Sequence, residues 1–130
     1  MSGTSRIVGT LGSTALPLAT ETALAVVSPG SVQAVGYNLL VRAEVSVTGA
    51  ASATTCTLQI RRGSTTAGTS VGSQAFQVPA SAVTVPLVLS IVDANPAGAG
   101  SGYVVTGNAA GAGQTAAGSV IECQAVNPTF

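Results

Sequence analysis

The 130-residue chain has no His, no Lys and no Trp; its charges are four acids (Glu21, Glu44, Asp93, Glu122) balanced by four arginines (Arg6, Arg42, Arg61, Arg62). Acid–base catalysis, nucleophile activation and the common metal centres draw on His, Lys or gathered carboxylates, so the composition points away from an enzyme and away from any cofactor. Zero net charge without a basic stripe argues against nucleic acid, and the best apolar run, residues 83–92 interrupted by Pro86, is far short of the roughly 20 residues of a membrane helix.

The length suits one domain. Mean hydropathy is +0.55, supplied mostly by small side chains, and the aromatics are only Tyr37, Phe76, Tyr103 and Phe130. A core built from such residues is thin, and burial against other subunits would add to it. The first 20 residues contain one Arg and no continuous apolar stretch, so they make a poor secretory signal, and synthesis in the cytoplasm is expected. They read instead as an extended, polar N-terminal arm, with residues 21–130 as the β domain. Cys56 and Cys123 are too far apart for a CxxC motif. Two readings stay open: small buried hydrophobes, or a pair meeting across the core, since both fall on apolar strand faces.

In chain order, residues 6–11 and 22–27 read as short strands. Residues 41–48 alternate strictly: Val41, Ala43, Val45 and Val47 on one face, Arg42, Glu44, Ser46 and Thr48 on the other. Successive strand side chains point to opposite faces, so this is a half-buried strand. Residues 55–61 repeat the pattern, with Cys56, Leu58 and Ile60 facing in. Residues 73–78 form a further strand. In residues 83–92 one face holds Val83, Val85, Leu87, Leu89 and Ile91, while Val88 and Val92 make the other face apolar too. A strand apolar on both faces calls for cover on both sides, by a second sheet and by a neighbour such as another subunit. Residues 103–107 and 120–126 complete the set, and Gly/Ala-rich loops are expected over 94–102 and 108–118. Turn chemistry punctuates the strands at Ser28-Pro29-Gly30, Thr48-Gly49, Gly63-Ser64, Val78-Pro79, Asn95-Pro96, Gly107-Asn108 and Asn127-Pro128. About eight short strands with no substantial helix predict an all-β, single-domain antiparallel sandwich, jelly roll or barrel.

The motifs add little chemistry. Residues 111–116 spell GAGQTA, but a dinucleotide fingerprint needs a following helix and an acid about 20 residues on. Neither is expected here. The four acids are not paired in sequence for glycoside hydrolysis and read as solvated or surface-paired groups. Arg61-Arg62 closes a strand, either guarding a sheet edge against aggregation or anchoring an acidic surface of a neighbour.

The run TTCTLQIRRGSTTAGTSVG, residues 54–72, is an alternating strand ending in LxIRRG, then a Ser/Thr/Gly turn and VG. With the strand before it (37–48), the VxVPLxL strand after it (83–89) and the closing strand 119–126, it resembles small phage virion proteins with a jelly-roll or tumour-necrosis-factor-like sandwich. The resemblance spans roughly residues 20–126 and is one of composition and topology. It implies a structural capsid decoration (cement) protein, a homotrimer on the exterior of the virion, bound to the major capsid protein and stabilising the shell. No catalytic residue is carried over, and no metal, cofactor, small-molecule substrate, nucleic acid or membrane partner is implied. Its contact residues are expected on the arm, at Arg6, Ile7 and Val8, and at Arg61, Arg62 and Tyr103. The same fold also suits a phage tail or fibre component, or a receptor- or glycan-binding module.

Overall fold

A computed structural model describes residues 6–10, 16–27, 38–81, 83–93, 102–109 and 113–126. Its strands are β1 (Arg6–Thr10), β2 (Leu16–Pro17), β3 (Thr22–Val27), β4 (Asn38–Thr48), β5 (Thr54–Arg62), β6 (Ser70–Val78), β7 (Thr84–Asp93), β8 (Tyr103–Ala109) and β9 (Thr115–Val126). No helix occurs among the described residues.

One sheet runs in the order β1-β9-β4-β7, with β2 also on β9; the other runs β3-β8-β5-β6. Both β1 and β2 lie along the same edge of β9, Ile7 opposite Cys123 and Leu16 opposite Ala116, so they act as one interrupted strand. Counted this way the described residues form eight antiparallel strands. The pairs nest: β1 with β9, β3 with β8, β4 with β7, β5 with β6. Successive nested pairs fall in alternate sheets, so the chain is one long hairpin rolled upon itself, which is the jelly roll. Rolling the ribbon pairs the start of the chain with its end and gives both sheets an inner face.

The alternation in the sequence decides which side chains fill the space between the sheets. Val41, Ala43, Val45 and Val47 from β4 meet Cys56, Leu58 and Ile60 from β5, with Leu87, Leu89, Ile121 and Cys123 around them, all buried. Cys56 and Cys123 are both free thiols on inner faces. Leu18, just after β2, is fully buried as well, held by its N–H on the Gln114 carbonyl (3.0 Å) and its carbonyl on the Ala109 N–H (2.8 Å). Residues 6–10 and 16–18 thus lie within the sandwich, one run as sheet strand and the other as core.

Several expectations shift. The loop expected over 108–118 is shorter: β8 continues to Ala109 and β9 begins at Thr115, because alternation persists in Ala-rich sequence once neighbouring strands supply the ladder. Gly107-Asn108 therefore lies inside a strand. Residues 113–116 of the GAGQTA motif lead into β9, a strand where a nucleotide motif needs a helix. Arg61-Arg62 does not guard an edge, since β5 is central, between β8 and β6. Val83 precedes β7 and is exposed, leaving Val85, Leu87, Leu89 and Ile91 as that strand's inward set. Tyr37, the 94–101 loop and the turns at 28–31, 95–96 and 127–128 lie outside the described residues.

β9 holds one irregularity. Its register with β4 shifts between Glu44 and Ser46, where Gly118 adopts φ +61°. A glycine in the left-handed region opening a two-against-one mismatch is a G1 bulge. The connection between β6 and β7 is tied to the one between β4 and β5 by Ser81 N–H to the Ala50 carbonyl (2.7 Å) and Gly49 N–H to the Val83 carbonyl (3.0 Å).

Candidate interaction surface

Adjacent residues on a strand point to opposite faces, so Arg61 and Arg62, neighbours in sequence, serve different sides of the second sheet. Arg62 points inward from the end of β5. Its guanidinium grips Asp93 at the end of β7 in the facing sheet, Nε to Oδ2 at 3.0 Å and Nη2 to Oδ1 at 2.8 Å. Tyr103, the Cα partner of Arg62 on β8, donates its hydroxyl to the same Asp93 Oδ2 at 2.7 Å. Asp93 is only 4% exposed and Tyr103 2%. A buried carboxylate is tolerable only with charge and hydrogen-bond partners, and Arg62 and Tyr103 are among those that supply them here. Burial, then the bond to Asp93, push the Tyr103 hydroxyl well above the usual tyrosine range. Burial, with the Asp93 charge nearby, raises the Cys123 thiol to about 11.

Arg61 points outward. It meets Glu21 side-on, Nε to Oε2 at 2.7 Å and Nη2 to Oε1 at 3.0 Å, and its Nη1 donates to the Gly68 carbonyl at 2.8 Å. Thr106 Oγ1 donates to Glu21 Oε2 at 2.6 Å, and Gln59 Nε2 reaches the same oxygen at 3.5 Å. The pair lies across the outer face of the second sheet, and Val104 and Thr106 on that face are fully buried. The Arg61 hydrogen bond is the main cause that lowers the Glu21 pKa, against a smaller rise from burial.

Three of the expected contact residues, Arg61, Arg62 and Tyr103, are thus engaged inside the chain. Arg6, Ile7 and Val8 are placed by their backbone on the edge of the first sheet, opposite Gln124, Cys123 and Glu122, and their side chains lie outside the described residues. The expectation that the acids are surface groups is corrected at Asp93, which is buried. The signal was present: Asp93 continues the inward set 85-87-89-91 of β7, and Arg62 the inward set 56-58-60 of β5. Glu21 lies against the outer face of the second sheet and Asp93, on the first sheet, faces its inner side, so they do not flank one cleft as a glycosidase pair must. Among the described residues no three His, Cys, Asp or Glu gather as a metal site, and no helix is long and apolar enough to cross a membrane.

The outer face of the first sheet is organised in cross-strand rows. Arg42 has Glu122 opposite on β9 and Ser90 opposite on β7; Glu44 has Val120 and Val88; Leu40 has Gln124 and Val92. Thr48 and Thr84, also opposite, share a 2.7 Å hydroxyl contact. Along β7 this face is largely apolar and open: Pro86 is exposed, Val88 is 38% and Val92 54% exposed. The two apolar faces expected for this strand are therefore present, the inner one covered by the second sheet.

No protein-family model and no curated protein matches the chain. Among solved structures it is similar to a chain of the T13 particle of infectious bursal disease virus, IBDV (TM-score 0.55, 14% identity), covering 92% of this chain and 31% of that one. It is also similar to a chain in the structure of the infectious bursal disease virus Gx strain (TM-score 0.53, 12% identity), covering 92% and 33%. The chain spans about a third of those chains, and at these identities the likeness is one of fold.

Proposed function

We propose that the chain is a non-enzymatic structural component of a virus particle: a capsid decoration or cement protein that binds the outer capsid surface as a trimer and stabilises the shell. The observation that carries this reading is the rolled eight-strand topology, shared with chains of viral particles. Two features support it. The charged side chains Arg61, Arg62, Glu21 and Asp93 join strands within the chain, and the exposed row of Pro86, Val88 and Val92 offers apolar area for a neighbour. Single weak contacts repeated over many copies on a shell add up through avidity. The partners in this reading are copies of the chain and the major capsid protein, and the location is the virion exterior after synthesis in the host cytoplasm.

The test is occupancy. Quantitative mass spectrometry of purified particles carrying the chain should count hundreds of copies each, and Val88→Asp with Val92→Asp should strip them while leaving a folded monomer, since both side chains are already solvent-exposed. Full occupancy of the double variant overturns the role given to β7. A handful of copies per particle favours the second reading, a tail or fibre component or a receptor- or glycan-binding tip. That reading is supported by the gathering of the strand ends Val27, Arg62, Asp93 and Tyr103 at one end of the sandwich, where residues 63–69 join β5 to β6. Light scattering on the purified protein should give a multiple of three chain masses of 12.5 kDa; a single chain mass removes the trimer.

A further inference from the structure

The four edge strands differ in how they are protected. β1 is five residues long and carries Arg6, the pairing of β3 with β8 is broken by a bulge between Ala23 and Ala25, and β7 has Pro86 at its third position. Short length, charge, bulges and proline are the devices that keep sheet edges from pairing with other chains. Over Gly72–Val78, β6 has none of them. This run is bounded by a register shift at Val71 and by Pro79, contains no charged residue, and among the described residues pairs on one side only, with β5. Ser73, Gln74, Ala75 and Gln77 are exposed. Gln74 belongs to the inward set, so its exposure shows that the edge itself is open.

We propose that Gly72–Val78 of β6 pairs antiparallel with the same segment of a second copy, about a twofold axis at Ala75, joining two four-stranded sheets into one of eight. A twofold contact uses the same patch on both partners. Ala75 is the middle residue of the run, so a twofold axis there places Ser73 opposite Gln77, Gln74 opposite Phe76, Gly72 opposite Val78, and the small Ala75 opposite itself. An uncharged strand meets its own copy with no like charges opposed, and a chain of zero net charge adds no long-range repulsion. Seven paired residues bury less than the ~1,200 Å² of a stable stand-alone interface, so the pair belongs to high local concentration, such as a crowded shell. The inference goes beyond the particle role: it concerns copy-to-copy contact and stands or falls on the isolated protein.

Cysteine capture on the full chain at millimolar concentration tests it, since Cys56 and Cys123 are buried. Under mild oxidation Ala75→Cys should yield a covalent dimer as the main species. Gln77→Cys alone should not, because its own copy lies roughly 14 Å away along the strands, but mixed with Ser73→Cys it should give the heterodimer. Adding Ser73→Lys with Gln77→Lys to Ala75→Cys should abolish capture, and Ser73→Lys with Gln77→Glu should restore it. Circular dichroism confirms that each variant keeps its β fold. Folded Ala75→Cys protein that stays monomeric, or equal capture at 75 and 77, overturns the proposal. Full particle occupancy of the Val88→Asp, Val92→Asp variant, or absence of the parent chain from particles, with capture at 75 intact, by contrast, counts against the shell role alone.

Discussion

Arg62 and Asp93 close the sandwich at one end: the guanidinium of β5 and the carboxylate of β7 face each other across the two sheets in a two-bonded ion pair, and Tyr103 donates its hydroxyl to the same carboxylate. Removing the cation leaves a buried charge with the phenol still bound. Arg62→Ala should therefore cost about 3 kcal/mol, the lower end for breaking a buried pair, read as a lower urea midpoint. Replacing both partners, Arg62→Leu with Asp93→Leu, should recover most of that loss; equal loss in the double variant would show that the charge pair is not the cause.

The Glu21 pKa is lowered by its hydrogen bond from Arg61. A carboxylate depressed in the folded state adds stability above its unfolded value, 4.5, and loses it as pH falls through the folded one. Stability should drop below about pH 4.5 in the parent, and part of that acid limb should vanish in Glu21→Gln, which starts lower at pH 7. Urea midpoints at pH 7 and pH 3 make the comparison; parallel pH profiles would contradict it.

At the alkaline side the signs reverse. The Cys123 thiol is raised from 9.0 to about 11 and that of Cys56 is also raised, chiefly by burial in both cases. Groups held neutral by the fold contribute stability that is complete below their unfolded values and fades as pH climbs through the folded ones. Native protein at pH 8 should show no thiol reactive toward a disulfide reagent within minutes and two after guanidinium, with stability falling from about pH 9 upward. A rapidly titrating thiol in the native state would contradict this.

Ser119 Oγ is buried beside the Gly118 bulge with no hydrogen-bond partner among the described residues. An unpaired buried hydroxyl costs roughly 1 kcal/mol or more, so Ser119→Ala should be neutral to stabilising by about 1 kcal/mol, seen as an unchanged or higher melting temperature. A clear drop would reveal a partner for the hydroxyl.

Gly72 of β6 sits against the Ile91 side chain of β7, and a Cβ there would overlap Ile91 Cγ2. Gly72→Ala should cost about 2 kcal/mol by overpacking. Pairing it with Ile91→Val, which trims the side chain, should return part of the loss if that contact is the reason.

Much of the fold was legible along the chain. Alternation over 41–48 and 55–61 assigns the inner faces of β4 and β5 residue by residue, and the Gly and Pro turns mark the ends of β4, β5 and β6. Extending the same parity by one step places Arg62 and Asp93 inside. Their meeting was not legible, because they are 31 residues apart and in different sheets. The pairing of β1 and β2 along β9, and the seating of Leu18 in the core, depend on the return of the chain's far end. Strand, face and turn could be read along the chain, because side-chain period and backbone preference act over a few residues. Which strands are central and which are edges is settled by how the hairpin rolls, which no local stretch of residues encodes. The same rolling joined Arg61 to Glu21 and Arg62 to Asp93 within the chain, and left the β6 edge and the outer row of β7 open to others.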